Sequence, residues 1–392
     1  LHGGSYGTRL ARTVMRDYPD LVRSAVLDGV LTVEANLFNR QATKTELALN
    51  ELFSACAADA ACNASYPDLE TVFYETAAAL TEDPQPVTIT NPLNGERYDS
   101  QVRGADFIGA VFFGLQSSQL VPTLPQTIYA ASEGDIAALS TALTIPLIVG
   151  ENINIGMFFS VNCHEEVFAT TVEDLNTDLD AIPDLAEFGR SALYGDAETL
   201  FDICEDWGAA AFAPLEVEPV ISDIPTLILG GQFDPATPPE WNAEVAQNLS
   251  NAFSYELPGL GHAESITGGC PLNIALAFLD DPSTEPDTSC IDDMGVTFVA
   301  EGAEFDAIDF TLVEYTSDQF GFSGLAPEGW QDAGNGIFIE PTAQELGVIQ
   351  QAAPVAAEEL LNLLMNQLSL EIPELADTYE ANGLTWSLYQ TD

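Results

Sequence analysis

Basic residues are nearly missing from this chain. Nine Lys and Arg stand against 62 Asp and Glu, a formal net charge of −53 at pH 7. Lys44 is the only lysine, and neither Lys nor Arg occurs after Arg190. Binding to a phosphate backbone needs positive charge, so this balance excludes nucleic acid as a partner, and an anionic membrane surface would repel the chain as well. Long hydrophobic runs are also lacking. Ile145 to Val149 and Phe158-Phe159 fall far short of the roughly 18 apolar residues that a membrane span requires. Histidine occurs three times, as His2, His164 and His262, and no C-x-x-C pair exists. A zinc site therefore has no ordinary ligand set, and nothing calls for a metal or an organic cofactor.

What is present suffices for a large core. The chain has 392 residues, 46% of them hydrophobic, enough for two or three domains. Its six cysteines are an even count. Their positions suggest three local bridges, Cys56 with Cys62, Cys163 with Cys204 and Cys270 with Cys290, as in a secreted protein. The other reading is six buried thiols in a cytosolic enzyme.

Chemistry enters at residue 5. Gly3-Gly4-Ser5-Tyr6-Gly7 is a G-x-S-x-G element, which sets a serine on a sharp strand-to-helix turn with its hydroxyl clear of the backbone. The residues after Gly7 read as a helix, with Leu10, Val14 and Met15 on one stripe and Arg9, Arg12 and Arg16 on another. Ser24 to Gly29 reads as the next strand, after the Tyr18-Pro19 break.

A serine needs a base to become a nucleophile. Thr226-Leu227-Ile228-Leu229-Gly230-Gly231 reads as a buried parallel strand, and it delivers Asp234 just past its carboxyl end. Farther on, His262 lies in the glycine-flanked loop Pro258 to Glu264, after the apolar run Phe253 to Leu257, with a helix from Trp241 to Leu249 between the two. Singly, each motif has a plain reading: an ordinary turn, a turn starter, a loop histidine. Jointly, Ser5, Asp234 and His262 occur in the chain order of the α/β-hydrolases, each after a strand. His2 belongs to the strand that leads into the elbow. The backbone N–H of Tyr6, the residue after the nucleophile, would supply one donor of an oxyanion hole.

Three stretches resemble one family in particular: Gly3 to Thr8, Asp28-Gly29-Val30, and Leu229-Gly230-Gly231-Gln232-Phe233-Asp234-Pro235-Ala236-Thr237-Pro238. They are similar to the prolyl aminopeptidase and tripeptidyl aminopeptidase family of α/β-hydrolases. The Cys56 to Cys62 pattern and Val161-Asn162-Cys163-His164-Glu165 resemble its secreted tripeptidyl branch. The resemblance spans roughly residues 1 to 292. It implies a serine hydrolase acting at peptide N-termini, with Glu165 and, beside it, Glu166 as carboxylates for the substrate's free amino group. In a chain this acidic, two adjacent glutamates are otherwise solvated surface. Family members carry core strands before the elbow and draw a second oxyanion donor from a loop there, whereas Ser5 is the fifth residue of this chain. The expectation is an N-terminally truncated chain, and the loss of one such donor costs about 100- to 1000-fold in rate.

The resulting expectation is an α/β fold: a partial α/β-hydrolase core with an inserted, mainly helical cap and a small C-terminal α+β module. Residues 1–35 hold the elbow. Residues 36–215 form the cap, with helical periodicity in Glu46 to Ala57 and Leu69 to Leu80. Residues 216–292 return to the core with Asp234 and His262. In 293–392, strands are expected at 310–315, 336–339 and 384–389, an aromatic and glycine-rich loop at 320–330, and a helix at 356–368. The function expected is a secreted aminopeptidase working on peptides through an acyl-enzyme, in saline extracellular or periplasmic surroundings. The rivals are an esterase or amidase of the same fold, and a catalytically crippled binding or scaffold protein.

Self-repulsion among so many carboxylates destabilises a compact state at low ionic strength and is screened by salt. The melting temperature should rise from low to molar NaCl; a flat or falling series counts against an acidic surface adapted to salt.

Overall fold

A computed structural model describes residues 1–32, 36–90, 97–140, 142–144, 153–192, 196–210, 212–265 and 268–300, and beyond them a set of strands between 312 and 389. The chain divides into two compact units: Leu1–Ile89 with Tyr98–Ala303, and Thr90–Arg97 with Glu304–Asp392.

In the first unit the order is β1 (His2–Gly4), α1 (Tyr6–Asp17), β2 (Ala25–Asp28), α2 (Gln41–Ala58), α3 (Ala60–Ser65), α4 (Leu69–Glu82), β3 (Gln85–Thr90), β4 (Arg97–Val102), α5 (Gly104–Leu115), α6 (Leu124–Ser132), α7 (Ile155–Glu165), α8 (Val172–Ala181), α9 (Ala186–Ala192), α10 (Ala197–Trp207), β5 (Thr226–Gly231), α11 (Glu240–Ala246), β6 (Ala252–Leu257) and α12 (Gly269–Asp280). The sheet that matters runs β1-β2-β5-β6, every pair parallel. Its two central strands, Ala-Val-Leu-Asp and Thr-Leu-Ile-Leu-Gly-Gly, are buried at every position, as strands covered on both faces must be.

Alternation along those strands sorts their side chains between two cores. Ala25, Leu27 and Ile228 join Met15 of α1 and Val245 of α11 on one face. Val26, Leu227 and Leu229 join Leu257, Ile274 and Phe278 on the other, beneath α12. This is a doubly wound α/β sheet, the architecture of the α/β-hydrolases. Register brings Gly4 opposite Asp28 and Asp28 opposite Leu229. The carboxyl ends of β1, β2 and β5 therefore finish at one rim, where open α/β sheets carry their sites.

Between β2 and β5 the described residues are mainly helical and bury a third core of their own. Phe73 of α4 stacks on Phe107 of α5 at 5.1 Å, and Phe112 meets Phe188 of α9 at 5.4 Å. The disulfide Cys56–Cys62 closes the turn between α2 and α3, Cys163–Cys204 joins α7 to α10, and Cys270–Cys290 ties α12 to the segment after it. No described helix is long and apolar enough to cross a membrane.

Four local expectations need correction. In α1 the buried face is Thr8, Arg9, Ala11, Arg12 and Met15, while Leu10 is 58% exposed. The two arginines can go inside because they find acceptors there: Arg12 donates to the Leu31 carbonyl, and Arg9 pairs with Glu165 and Glu166. The helix between Asp234 and His262 is Glu240–Ala246, since Asn248 and Leu249 close tighter turns onto Val245 and Ala246. The first unit continues to Ala303, with Val299 bonded to the Pro122 carbonyl at 3.0 Å. In the second unit, the stretch read as a loop contains the strand Phe322–Pro327, which pairs antiparallel with Leu312–Ser317. Two further small sheets there use Gln331–Gly334, Ile337–Ile339 and Val348–Ile349, and Leu375–Ala381 with Leu384–Tyr389. The helix expected at 356–368 lies outside the described residues.

Phe73 is fully buried at the meeting point of α2, α4 and α5. Phe73→Ala should cost about 3–5 kcal/mol of stability, seen as a fall in the denaturant midpoint with the slope unchanged.

Candidate active site

Ser5 stands between β1 and α1 with φ 53° and ψ −124°. A non-glycine residue adopts that conformation only where the surroundings enforce it. Here the Ser5 N–H donates to the Asp28 carbonyl at 2.9 Å, and the Ser5 carbonyl accepts from the Thr8 N–H and hydroxyl. Gly3 is required for space: a Cβ there would come within 2.3 Å of the Gly7 carbonyl oxygen. α1 begins at Tyr6, so the Tyr6 N–H has no acceptor within the helix and lies at its positive end.

Asp234 lies three residues past β5, 1% exposed. Its Oδ1 accepts from the N–H groups of Ala236 and Thr237 at 2.8 and 2.9 Å; its Oδ2 accepts from the Thr237 hydroxyl at 2.7 Å and His262 Nδ1 at 2.8 Å. Four donors make the ionised carboxylate tolerable in a buried place. The acceptor fixes the imidazole tautomer: Nδ1 carries the proton, and Nε2 is left as the basic nitrogen. Thr237 commits its own proton to Asp234, so toward Nδ1, 3.1 Å away, it acts only as an acceptor.

The histidine loop is held from several sides. The His262 N–H donates to the Gln116 carbonyl at 2.9 Å. Asp28, 1% exposed at the end of β2, accepts from Ser265 N and Oγ. Glu264 accepts from Gly261 N at 2.8 Å and from Ser118 N and Oγ at 3.1 Å. Burial pushes the carboxyls of Asp28 and Glu264 above their ordinary range, partly offset by these donors. The loop also touches the elbow: a Cβ on Gly4 would lie 3.7 Å from Ala263 Cβ, and one on Gly29 would lie 3.2 Å from His262 Nδ1. Ser5, Asp234 and His262 are thus gathered at one rim of the sheet. Among the described residues the hydrogen bonds of the His262 ring, to Asp234 and Thr237, both use Nδ1, and none joins the ring to Ser5.

Ser5 and Thr237 line a cavity of about 440 Å³ whose lining also includes Lys44, Gln116, Phe112, Phe113 and Phe188. A second cavity, about 480 Å³, lies by Glu75 and Asp83 and contains neither histidine nor a charged base next to a strand end.

Glu165 and Glu166 sit at the end of α7, facing the elbow helix. Tyr6 donates its hydroxyl to Glu165 at 2.9 Å, and Arg9 Nε lies 3.1 Å from the same carboxylate. Burial, then Glu165, push the Tyr6 phenol up to about 12. Glu166 is buried, paired with Arg9 and bonded to the Leu37 N–H at 2.9 Å; burial raises its carboxyl against the pull of Arg9. Of the two, only Glu165 keeps a solvent-facing side chain, 22% exposed. His164 faces elsewhere, to Glu216 and the Ala210 carbonyl.

Residues 192–290 match a family model described as TAP-like protein, of the α/β-hydrolases. The chain carries a TAP-like α/β-hydrolase segment. That segment includes β5, Asp234 and His262. Two solved structures are similar at low identity: a serine hydrolase from the polyaromatic hydrocarbon-degrading bacterium Cycloclasticus zankles (10% identical, 68% of this chain and 57% of that one, TM-score 0.23) and tannin acyl hydrolase from Aspergillus niger (12% identical, 94% of this chain and 66% of that one, TM-score 0.22). The chain thus spans less than two thirds of the length of either. No curated protein matches it in sequence.

Sequence reasoning missed Lys44, Asp28, Thr237 and Glu264 as neighbours of the TAP-like histidine. Thr237 and Glu264 were visible only as parts of their motifs, Asp-Pro-Ala-Thr and His-Ala-Glu. Asp28 had a signal in its place at the end of an apolar strand. Lys44 had one in being the sole lysine.

For His262, burial alone would lower the imidazole pKa, but the charge and hydrogen bond of Asp234, helped by Asp28, raise it above its ordinary value of 6.5. A raised folded-state value stabilises the protein fully below the unfolded value, and that contribution is lost as pH climbs through the folded one. Proton NMR should find the imidazole midpoints of both His164 and His262 above 6.5, the latter through its pairing with Asp234. Asp234→Asn should lower the His262 midpoint and cost more stability on the acid side of the titration than on the alkaline side; a midpoint that Asp234→Asn leaves unmoved speaks against the pair.

Proposed function

We propose that the protein is a serine hydrolase in which Ser5 attacks a carbonyl, His262 takes the serine proton and returns it to the leaving group, and Asp234 orients the imidazole and stabilises its cationic form. The observation that carries this reading is the 2.8 Å bond from His262 Nδ1 to Asp234, beside a serine held in a left-handed turn. The Tyr6 N–H, at the positive end of α1, is the donor for the oxyanion that forms on attack. The helical insertion between β2 and β5 acts as a cap that keeps water from the acyl-enzyme. Three disulfides fit folding in an oxidising compartment, and we place the protein outside the cytoplasm.

For the substrate, the aminopeptidase reading is supported by Glu165, a partly exposed carboxylate hydrogen-bonded to the residue after the nucleophile. It would hold the free amino group of a peptide. One observation favours the esterase reading instead: Arg9 already pairs with that carboxylate, so an incoming ammonium must share it.

A fluorophosphonate probe should label the protein at Ser5 and leave Ser5→Ala unlabelled. Asp234→Asn should reduce kcat by about 10⁴-fold on any substrate turned over. Absence of labelling would return the protein to a binding or scaffold role. An aminoacyl p-nitroanilide assayed against a p-nitrophenyl ester separates the two substrate classes; Glu165→Gln should raise KM for the anilide alone if Glu165 holds the amine, and equal effects on both reject that role.

A further inference from the structure

Lys44 is the only lysine among 392 residues and is 6% exposed, on the first turns of α2. Burial of an ammonium group is costly unless it is paired. Yet among the described residues no ion pair and no side-chain hydrogen bond involves its ammonium. Three carboxylates are near enough to be felt, Asp234, Glu166 and Asp178, and each is committed elsewhere. Asp234 holds His262 and Thr237. Glu166 holds Arg9 and the Leu37 N–H. Asp178 accepts from Ala42 N at 2.7 Å and from the Thr43 N–H and hydroxyl, capping the start of α2. Burial lowers the Lys44 pKa to about 8, opposed by those three acids, so the group remains a cation at neutral pH.

The same side chain lines the cavity that contains Ser5, among Phe112, Phe113 and Phe188. The lining also includes Gln41, Gln116 and Ser191; an unpartnered cation in a cavity of aromatic and neutral polar side chains beside a nucleophile is a site for an anion. A strong net negative charge disfavours anionic ligands at long range, so a local cation is what selecting one would require. We propose that Lys44 binds a carboxylate of the substrate, making this a hydrolase for carboxylate-bearing esters or peptides. The carboxylate supplies the missing hydrogen-bond acceptor, and the aromatic walls cover the apolar chain that joins it to the scissile carbonyl. An ammonium group in this chamber would be repelled, which assigns any free amine to the Glu165 side of Ser5. The site extends the serine hydrolase reading given above, but its binding can be measured without turnover.

Calorimetry on Ser5→Ala should find 4-phenylbutyrate bound about 10- to 100-fold more tightly than 4-phenylbutyramide, the usual range for a hydrogen bond to a charged group. Adding Lys44→Met should reduce that ratio at least tenfold, and Lys44→Gln should do the same should the Met variant misfold. On the unaltered protein, kcat/KM for the p-nitrophenyl monoester of glutarate should exceed that for p-nitrophenyl valerate, a neutral ester of similar length. Equal binding of acid and amide, no binding of either, or an acid preference that survives loss of Lys44 overturns the proposal. A Lys44-dependent acid preference in a protein whose Ser5 takes no fluorophosphonate would leave the anion site standing and overturn only the hydrolase reading.

Discussion

The site depends on a buried carboxylate that has no spare valence. Asp234 sits at the rim of the sheet with four donors around it, two from its own turn, one from Thr237 and one from His262. Its own backbone turn thus pre-orders the charge before the imidazole arrives. That arrangement makes the His262 bond directional: only one oxygen lobe remains, and it points across the rim. The strand order makes this possible, because β5 lies between β2 and β6, so its carboxyl end has the Asp28 end of β2, which neighbours the elbow strand β1, on one side and the histidine loop after β6 on the other.

Around that bond, polar contacts take over the role that apolar packing plays elsewhere. The histidine loop is gripped by Asp28 from the sheet, by the Gln116 carbonyl from the insertion, and by Glu264 reaching back to Ser118. One grip ties the loop to the sheet and two tie it to the insertion just after α5, so displacement of the insertion would be felt at the imidazole. The elbow helix is coupled to the insertion in a similar way, through Arg9 between Glu165 and Glu166. A buried ion pair contributes little net stability, since desolvation offsets its attraction. Its effect is on geometry: it fixes where α7 stands relative to Ser5.

Much of the sheet was legible in the sequence because its strands obey strong local rules. The run Thr226 to Gly231 is apolar and bounded by turn residues, and it is a strand over that range. The helices at Glu46 to Ala57 and Leu69 to Leu80 carry apolar residues at helical spacing and fall within α2 and α4. The elbow was legible because a G-x-S-x-G before a helix has a mechanical meaning, and φ at Ser5 is positive as that meaning requires. What was not legible depends on partners far away in sequence. Periodicity put Arg9 and Arg12 on one stripe but not inside, and their acceptors, Glu165, Glu166 and the Leu31 carbonyl, belong to segments that no periodicity connects to α1. Leu10 shares a stripe by spacing with Met15, yet Met15 is buried and Leu10 exposed. In the C-terminal unit, Phe322 to Pro327 has the glycine and proline of a loop, and its pairing with Leu312 to Ser317 overrides that composition.

Charge follows a division that composition alone hides. The acids outnumber the bases by 62 to 9, yet three of the nine bases, Arg9, Arg12 and Lys44, are buried. Exposed cations on such a surface would serve as weak, salt-screened partners for the carboxylates around them. Inside, a cation meets few carboxylates and a low dielectric, so each one acts strongly on what it touches. Arg12 supports the turn after β2 and Arg9 joins the elbow to the insertion, and both have acceptors to offset their burial. Among the described residues no acceptor bonds the Lys44 ammonium, since Asp234, Glu166 and Asp178 are held by other donors. A fold that only needed to fill that volume would be more stable with a neutral side chain. Retaining a cation there makes physical sense if an acceptor arrives from outside, which is why the chamber next to Ser5 is read as an anion site.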